Sequence, residues 1–208
     1  MPNWVYNYIT ITGKPEDVEA FVAKATAPYP RVVERDGLGG EPRWDVSTDG
    51  EFSFWHFIAP PKEAVDSGEY FATNGWSKKN GKTGDTENNW HNFNSREWGT
   101  KWNACNDTIG VNGDTACITF DTAWSPPEPV FRAMVKQHPE LTFEISCEEE
   151  QGWGVEYESV NGELIETLSW DIPASHAEWV RLGRVDSCLC SYDLERAYPD
   201  CPVEKEEK

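Results

Sequence analysis

The sequence predicts an α+β sandwich, an antiparallel sheet covered by two helices. Three observations carry that expectation. The chain opens on a strand followed directly by a helix. A second strand, Ala116 to Thr122, runs straight into another helix start, and a third alternating stretch, Leu141 to Ser146, follows after a short joint.

Trp4 to Thr12 carries Trp4, Tyr6 and Tyr8 on one side and Val5, Ile9 and Ile11 on the other. Two such faces suit a strand well inside a sheet rather than at its edge. Gly13-Lys14-Pro15 turns the chain, and Glu16 and Asp17 place negative charge in the first turn of a helix, where unpaired backbone N–H groups favour it. Val18, Phe21, Val22 and Ala25 give that helix a stripe to bury before Pro28 stops it.

Residues 28–50 are rich in turn formers, with Arg43 to Val46 as a short extended piece. Glu51 to Ile58 is strongly aromatic and reads as a strand ended by Pro60-Pro61. His56, between Trp55 and Phe57, reads as a hydrogen-bonded core or rim residue, since no carboxylate or Cys stands near it in sequence. Residues 62–97 read as a loop-rich insertion with a short helix between Ala64 and Phe71. Gly81-Lys82-Thr83 ends like a phosphate-binding loop, but the leading Gly75 is one residue too distant and neither strand nor helix frames it. Lys78, Lys79 and Lys82 are the one basic cluster of the chain.

A compact cluster, WGTKWNACN, and a Gly-containing connection lead into the Ala116 strand, where Ile118 and Phe120 alternate with Cys117, Thr119 and Asp121. Ser125, Pro126 and Glu128 have the spacing of a helix cap, a first-turn proline and a capping box. Val130, Phe131, Met134 and Val135 form the buried stripe of the helix, and His138-Pro139 ends it. In the next strand Leu141, Phe143 and Ile145 point in, and Thr142, Glu144 and Ser146 point out. Gly152 to Thr167 reads as a hairpin on an Asn161-Gly162 turn. Ser175 with Glu178 caps a short helix near 174–183, and an acidic tail follows. The expected organisation is thus a domain over 1–168, interrupted at 62–97, and an acidic C-terminal extension over 169–208.

Two strand–helix pieces with intervening strands make the expected sandwich ferredoxin-like. The segments MPNWVYNYITITG, FSFWHFIAPP, WGTKWNACN and FDTAWSPPEPVFRAMVKQHPELTFEI resemble, in the same order, an uncharacterised family of phages, plasmids and genomic islands, the YubB-type proteins. The resemblance spans roughly residues 1–165, and WGTKW and TAWSPP are its specific part. The chain departs from it in Val5, where Cys is expected, in the polar insertion and in the acidic C-terminal region. The family implies an intracellular mobile-element protein with a ferredoxin-like domain; it implies no reaction.

The formal charge is −19, divided as −6 over residues 1–139 and −13 over 140–208. Phosphate binding needs clustered Lys and Arg, so direct nucleic-acid binding is unfavourable, although ferredoxin-like sheets can stack bases on aromatics. The surface favours a partner with a basic face. A mean hydropathy of −0.67 and the absence of a long apolar run exclude a transmembrane reading, and MPNWVYNYITITG has no signal-peptide character. The expected location is the cytoplasm of a bacterial host, where Cys105, Cys117, Cys147, Cys188, Cys190 and Cys201 stay reduced. Cys188, Cys190 and Cys201, with His176 upstream, lack the spacing of a zinc site, so no metal or other cofactor is expected.

No complete catalytic motif is present. Ser125, Asp121 and His56, His91 or His138 form a triad only on paper, because the G-x-S-x-G elbow is missing. Asn3, Asn7, Trp98, Lys101, Trp102, Asn103, Asp121 and Trp124 make a more coherent group: Lys101 pairs with Asp121, and Trp98 and Trp102 share a face if this piece is helical. It reads either as a polar pocket roofed by indoles or as a buried network that fixes the long loop on the sheet. Function is accordingly expected to be non-catalytic: binding of a host or phage protein with a basic surface, as an anti-defence factor or nucleic-acid mimic presenting Glu148, Glu149, Glu150, Glu156 and Glu158. The alternative is a small enzyme or nucleotide-binding protein that uses the Lys/Asp/Trp pocket.

Overall fold

The structure is a computed structural model that describes residues 2–35, 42–46, 50–71, 86–184, 188 and 198–201. Its centre is β1 (Trp4–Thr12), flanked by β5 (Thr115–Ala123) and β6 (Thr142–Glu149), both antiparallel to it. The two neighbours are therefore parallel to each other with β1 inserted between them. The helix that joins them, α4 (Glu128–Gln137), completes a split βαβ unit. β4 (Cys105–Asn112) pairs with β5 in a hairpin, and β7 (Gly154–Val160) and β8 (Glu163–Trp170) extend the other edge. The sheet runs β4-β5-β1-β6-β7-β8 and is antiparallel throughout. Together with α1 (Pro15–Ala25), the elements β1, α1, β4, β5, α4 and β6 make the ferredoxin-like order, and β7–β8 are added to it.

Both helices lie on one face. Val5, Ile9 and Ile11 of β1, Ile118 and Phe120 of β5, and Phe143 and Ile145 of β6 point to that side and are almost fully buried. Phe21 of α1 meets Phe143 at 5.6 Å, and Phe131 of α4 meets Phe120 at 6.4 Å and Tyr157 at 6.3 Å. The expected helix stripes are the buried ones: Val18, Phe21 and Ala25 on α1, and Val130, Phe131, Met134 and Val135 on α4. Asn161 and Gly162 both take positive φ (53° and 77°), as a two-residue I′ turn between right-twisted strands requires.

Several local expectations are corrected. Glu51 to Ile58 is not a strand. Ser53 caps a short 3-10 turn over Phe54–His56 by accepting a bond from the Trp55 N–H, so the aromatic residues fold onto the helix layer: Phe52 meets Phe120 at 5.0 Å. Ser125 is not a helix cap. Its hydroxyl donates to the Gly99 carbonyl at 2.5 Å, Pro127 occupies the cap position, and α4 begins at Glu128. The connection before Ala116 is itself strand β4, whose polar composition and bulge between Cys105 and Thr108 hide its alternation. The cap expected at Ser175 is present: its side chain accepts from the Glu178 N–H at the start of α5 (His176–Arg181).

The interruption of the core is longer than residues 62–97. Everything between α1 and β4, residues 26–104, is inserted into the sandwich. It holds a separate hairpin, β2 (Pro30–Arg35) with β3 (Pro42–Val46), then α2 (Lys62–Asp66), α3 (Trp90–Phe93) and a π-helical turn over Asn94–Trp98 that ends at Gly99 with φ 74°. The Gly81-Lys82-Thr83 motif and the Lys78, Lys79 and Lys82 cluster lie outside the described residues. Among the described residues no helix is long and apolar enough to cross a membrane.

Candidate functional site

The strand period decides what the second sheet face presents. Between the buried residues of β1, Tyr6 and Tyr8 point the other way and are 41% and 54% exposed. Register gives their neighbours: Tyr6 lies between Asp121 and Glu148, Tyr8 between Thr119 and Ser146, and Thr10 between Cys117 and Glu144. One strand further, Glu144 is directly opposite Glu158, and Ser146 is opposite Glu156. Tyr8, Thr10, Glu144, Ser146, Glu156, Glu158 and Thr167 line a shallow groove of about 250 Å³ here. Partial burial, and then the carboxylates of Asp121 and Glu150, push the Tyr6 phenol above its ordinary range.

One end of this face is covered by the chain's own C-terminal part. Gly154 has no side chain because a Cβ there would meet the Trp170 ring at 2.2 Å; the indole lies across the glycine. Arg184, three residues beyond α5, stacks over Trp170 with its guanidinium carbon 4.3 Å from the ring centre. It donates to Glu148 (2.8 Å), Ser146 (2.8 Å) and Glu156 (2.5 Å).

The expected acidic surface is therefore only partly a surface. Glu148 and Glu156 are held by Arg184. Glu149 points to the other side and is 2% exposed, with its carboxylate turned back to the Gln151 N–H. Glu150 and Glu158 are exposed. Glu144, which the alternation of β6 already directs outward, belongs with them.

The Lys/Asp/Trp group does not converge. Asp121 accepts a bond from Asn106 on the open face, while the Lys101 ammonium lies 4.9 Å from the Trp102 ring; the expected pair is absent. Trp98 and Trp102 do not share a helix face, because the helical turn ends at Gly99. Trp98 is core, 1% exposed, with its indole N–H on the Ile58 carbonyl. Trp102 packs on Trp4 at 5.9 Å. Asn7 is buried, and its amide donates to Val5 O, Phe120 O and the Thr122 hydroxyl. Asn103 braces the insertion: its carbonyl accepts from the Phe54 and Ala104 N–H groups, and its amide donates to Ser53. Asn3 accepts the Trp124 backbone N–H. Trp124 is 54% exposed at φ 75°, a conformation a bulky side chain rarely takes. For these residues the structural network is what the geometry forms.

A cavity does exist beside them. Within the insertion, an open pocket of about 360 Å³ is lined by Tyr29, Pro30, Arg31, Trp55, Tyr70, Phe71, Trp90, Asn94, Trp98, Trp102 and Asn103. Three of the expected residues contribute to it; Lys101 and Trp124 face a separate surface depression with Ser125 and His91. Its sequence signal is the series of spaced aromatics over residues 52–102, which converge because Phe54–His56 forms a 3-10 turn and not a strand.

Cys188 and His176 are in contact at 3.5 Å in a small second core with Trp179. Among the described residues no three His, Cys, Asp or Glu side chains form a metal-binding group; Cys190 lies outside them. Cys105, Cys117, Cys147 and Cys188 are free thiols. The Ser125 hydroxyl is spent on the Gly99 carbonyl, and the His56 imidazole donates to the Ala27 carbonyl at 2.8 Å, which fixes the proton on Nε2.

Fold and register together define a ferredoxin-like α+β domain with an enlarged sheet. Residues 97–180, from the last turn of the insertion to α5, match the model of a family described as the ferredoxin-like domain in Api92-like protein. The chain is also similar to the crystal structure of the protein Api92 from Yersinia pseudotuberculosis, at 11% identity, with 83% of this chain and 99% of that one covered and a TM-score of 0.50. That likeness is one of fold. No curated protein matches the sequence.

Proposed function

We propose that the protein is a non-catalytic interaction module that docks a basic protein segment on the open face of its sheet. The observation that carries this reading is the pair Glu144 and Glu158. They face each other directly across β6 and β7, next to the exposed Tyr8, and neither carboxylate has a hydrogen-bond or ion-pair partner among the described residues. Like charges directly opposite destabilise a sheet. A lysine or arginine entering the groove relieves that repulsion, and Tyr6 and Tyr8 supply the aromatic contact area common in protein recognition. A charge of −19 speeds the approach of such a partner and repels polyanions.

The resemblance to proteins of phages and plasmids sets the context: a host or phage protein as partner, a bacterial cytoplasm as location, and a nucleic-acid-binding surface as the basic face the carboxylates mimic. An anti-defence role follows from that context. The test is a pull-down from bacterial lysate with the wild-type chain and with a Glu144→Gln/Glu158→Gln double variant. A partner captured by the wild type, released at high salt and lost with the double variant supports the reading. A partner held equally by both proteins sinks it.

A further inference from the structure

Beside Glu144 and Glu158 the open sheet face carries a second subsite, and this one is filled. Strand pairing builds it. Glu148, Gly154 and Trp170 lie opposite one another across β6, β7 and β8, and Ser146 and Glu156 are partners in the row beside them. Ser146 and Glu156 also line the groove that holds Glu144 and Glu158, so the subsite opens directly into it. The Trp170 indole lies across Gly154, and its N–H donates to the Gly152 carbonyl at 2.8 Å. Two carboxylates, a hydroxyl and an indole face are thus positioned by the sheet and the β6–β7 turn.

The cation comes from elsewhere. Arg184, beyond α5, places one guanidinium nitrogen on Glu148 and the other on both Ser146 and Glu156, with the Trp170 ring beneath it. A planar fork can reach carboxylates on two strands while lying flat on an indole; a compact ammonium cannot do both. The seated side chain therefore shows which cation the subsite takes. The contact is not sealed off. The Arg184 side chain is 21% exposed and that of Glu156 36%, so the guanidinium can leave to solvent without the sheet opening. Ion pairs reached by solvent are screened and individually modest.

We propose that Arg184 is an internal stand-in for a partner's arginine: its guanidinium fills an arginine subsite of the docking face, and a partner binds by displacing it. This rests on the docking reading of that face, and it names arginine rather than lysine as the residue recognised and the C-terminal extension as the competitor. A tethered competitor acts at high effective concentration and keeps the fraction of open sites small, and apparent affinity falls by that fraction.

Isothermal titration of the full chain with capped decapeptides of alternating arginine and glycine, or lysine and glycine, at about 0.15 M salt tests it. Arg184→Ala should bind the arginine peptide at least about tenfold more tightly than the wild type, and the lysine peptide less than about threefold more tightly. Glu156→Gln added to Arg184→Ala should remove most of the gain. Equal affinity of wild type and Arg184→Ala, no binding by either, an equal gain for lysine, or a gain that survives Glu156→Gln overturns the proposal. The lysine peptide reports the change in net charge, which acts on both peptides alike. Where Arg184→Ala does not fold, Arg184→Gln takes its place with the same outcomes. The double variant Glu144→Gln/Glu158→Gln separates the two readings. If it weakens binding while Arg184→Ala changes nothing, docking stands and self-occupancy falls. If Arg184→Ala gives the arginine-specific gain while the double variant changes nothing, the arginine subsite stands and docking on Glu144 and Glu158 falls.

Discussion

Glu144 and Glu158 are cross-strand partners of like charge on the open face of the sheet. In a domain built only for stability one of them would be Lys or Thr, since an opposite-charge pair at such a position contributes and a like-charge pair costs, each by roughly 0.2–1 kcal/mol. Glu144→Gln and Glu158→Gln are therefore expected to raise stability by up to about 1 kcal/mol in urea denaturation, with unchanged slope. If the pair serves a basic partner, the same substitutions lower its affinity. Stability and binding moving in opposite directions is the outcome that distinguishes a docking pair from an idle surface.

Arg184 supplies the complementary experiment. It binds Glu148 and Glu156 and stacks on Trp170, tying the segment after α5 to the sheet. Arg184→Ala leaves two carboxylates uncompensated and removes a stacked cation. A loss on the order of 1–3 kcal/mol is expected, in the range of hydrogen bonds to charged groups. It also raises the free carboxylates lining the groove from two, Glu144 and Glu158, to three with Glu156, so a basic partner should associate faster at low salt. Stopped-flow association at two ionic strengths reads this directly. An unchanged rate would mean that the partner does not sense the groove.

How much of this was legible follows the range of the interactions. The β1, α1, β5, α4, β6 and β7–β8 elements were readable because alternation and helical spacing are local, and Ser175 was readable as a cap because capping reaches only three residues. Ser125 has the same local pattern but does not cap, because its hydroxyl is taken by Gly99, 26 residues earlier in the chain. Glu51–Ile58 has strand composition but no strand partner in the sheet; Ser53 and Asn103, 50 residues apart, hold it instead. The Lys101–Asp121 pair failed for a similar reason. Asp121 points to the open face, and Lys101 belongs to the insertion on the other side of the turn at Gly99. Charge counts announced an acidic surface, but only register assigns Glu149 to the interior and Glu144 to the exterior.

Asn7 separates a structural network from a binding pocket. Its amide joins β1 to β5 through Phe120 O and Thr122 Oγ1 and sits in a site that is 1% exposed. Asn7→Ala removes three hydrogen bonds and opens a small void, and should cost about 2–3 kcal/mol in chemical denaturation. Ligand and partner binding by the folded fraction should be unaffected. A variant with wild-type stability but lost binding would return Asn7 to the functional group in which its sequence neighbours placed it.

The pH dependence near neutrality should come from two histidines. His56 is kept below the usual imidazole range chiefly by burial, against the opposing effect of its bond to the Ala27 carbonyl. His138, packed edge-on against Phe21 at 5.0 Å, is lowered mainly by burial too, with Lys24 adding to it and Glu140 opposing. In both, the folded pKa lies below the unfolded value of 6.5. The unfolded chain then binds more protons than the folded one as pH falls below 6.5, so their contribution is complete above that value and is lost as pH drops through the folded pKa values. Thermal unfolding between pH 8 and pH 5, on the order of the histidine range, should show Tm level at first and then declining. His138→Gln keeps a hydrogen-bonding side chain without a titrating ring and should flatten part of that decline. If the slope below pH 6.5 is the same in His138→Gln and in the wild type, burial of this imidazole is not what couples protonation to folding.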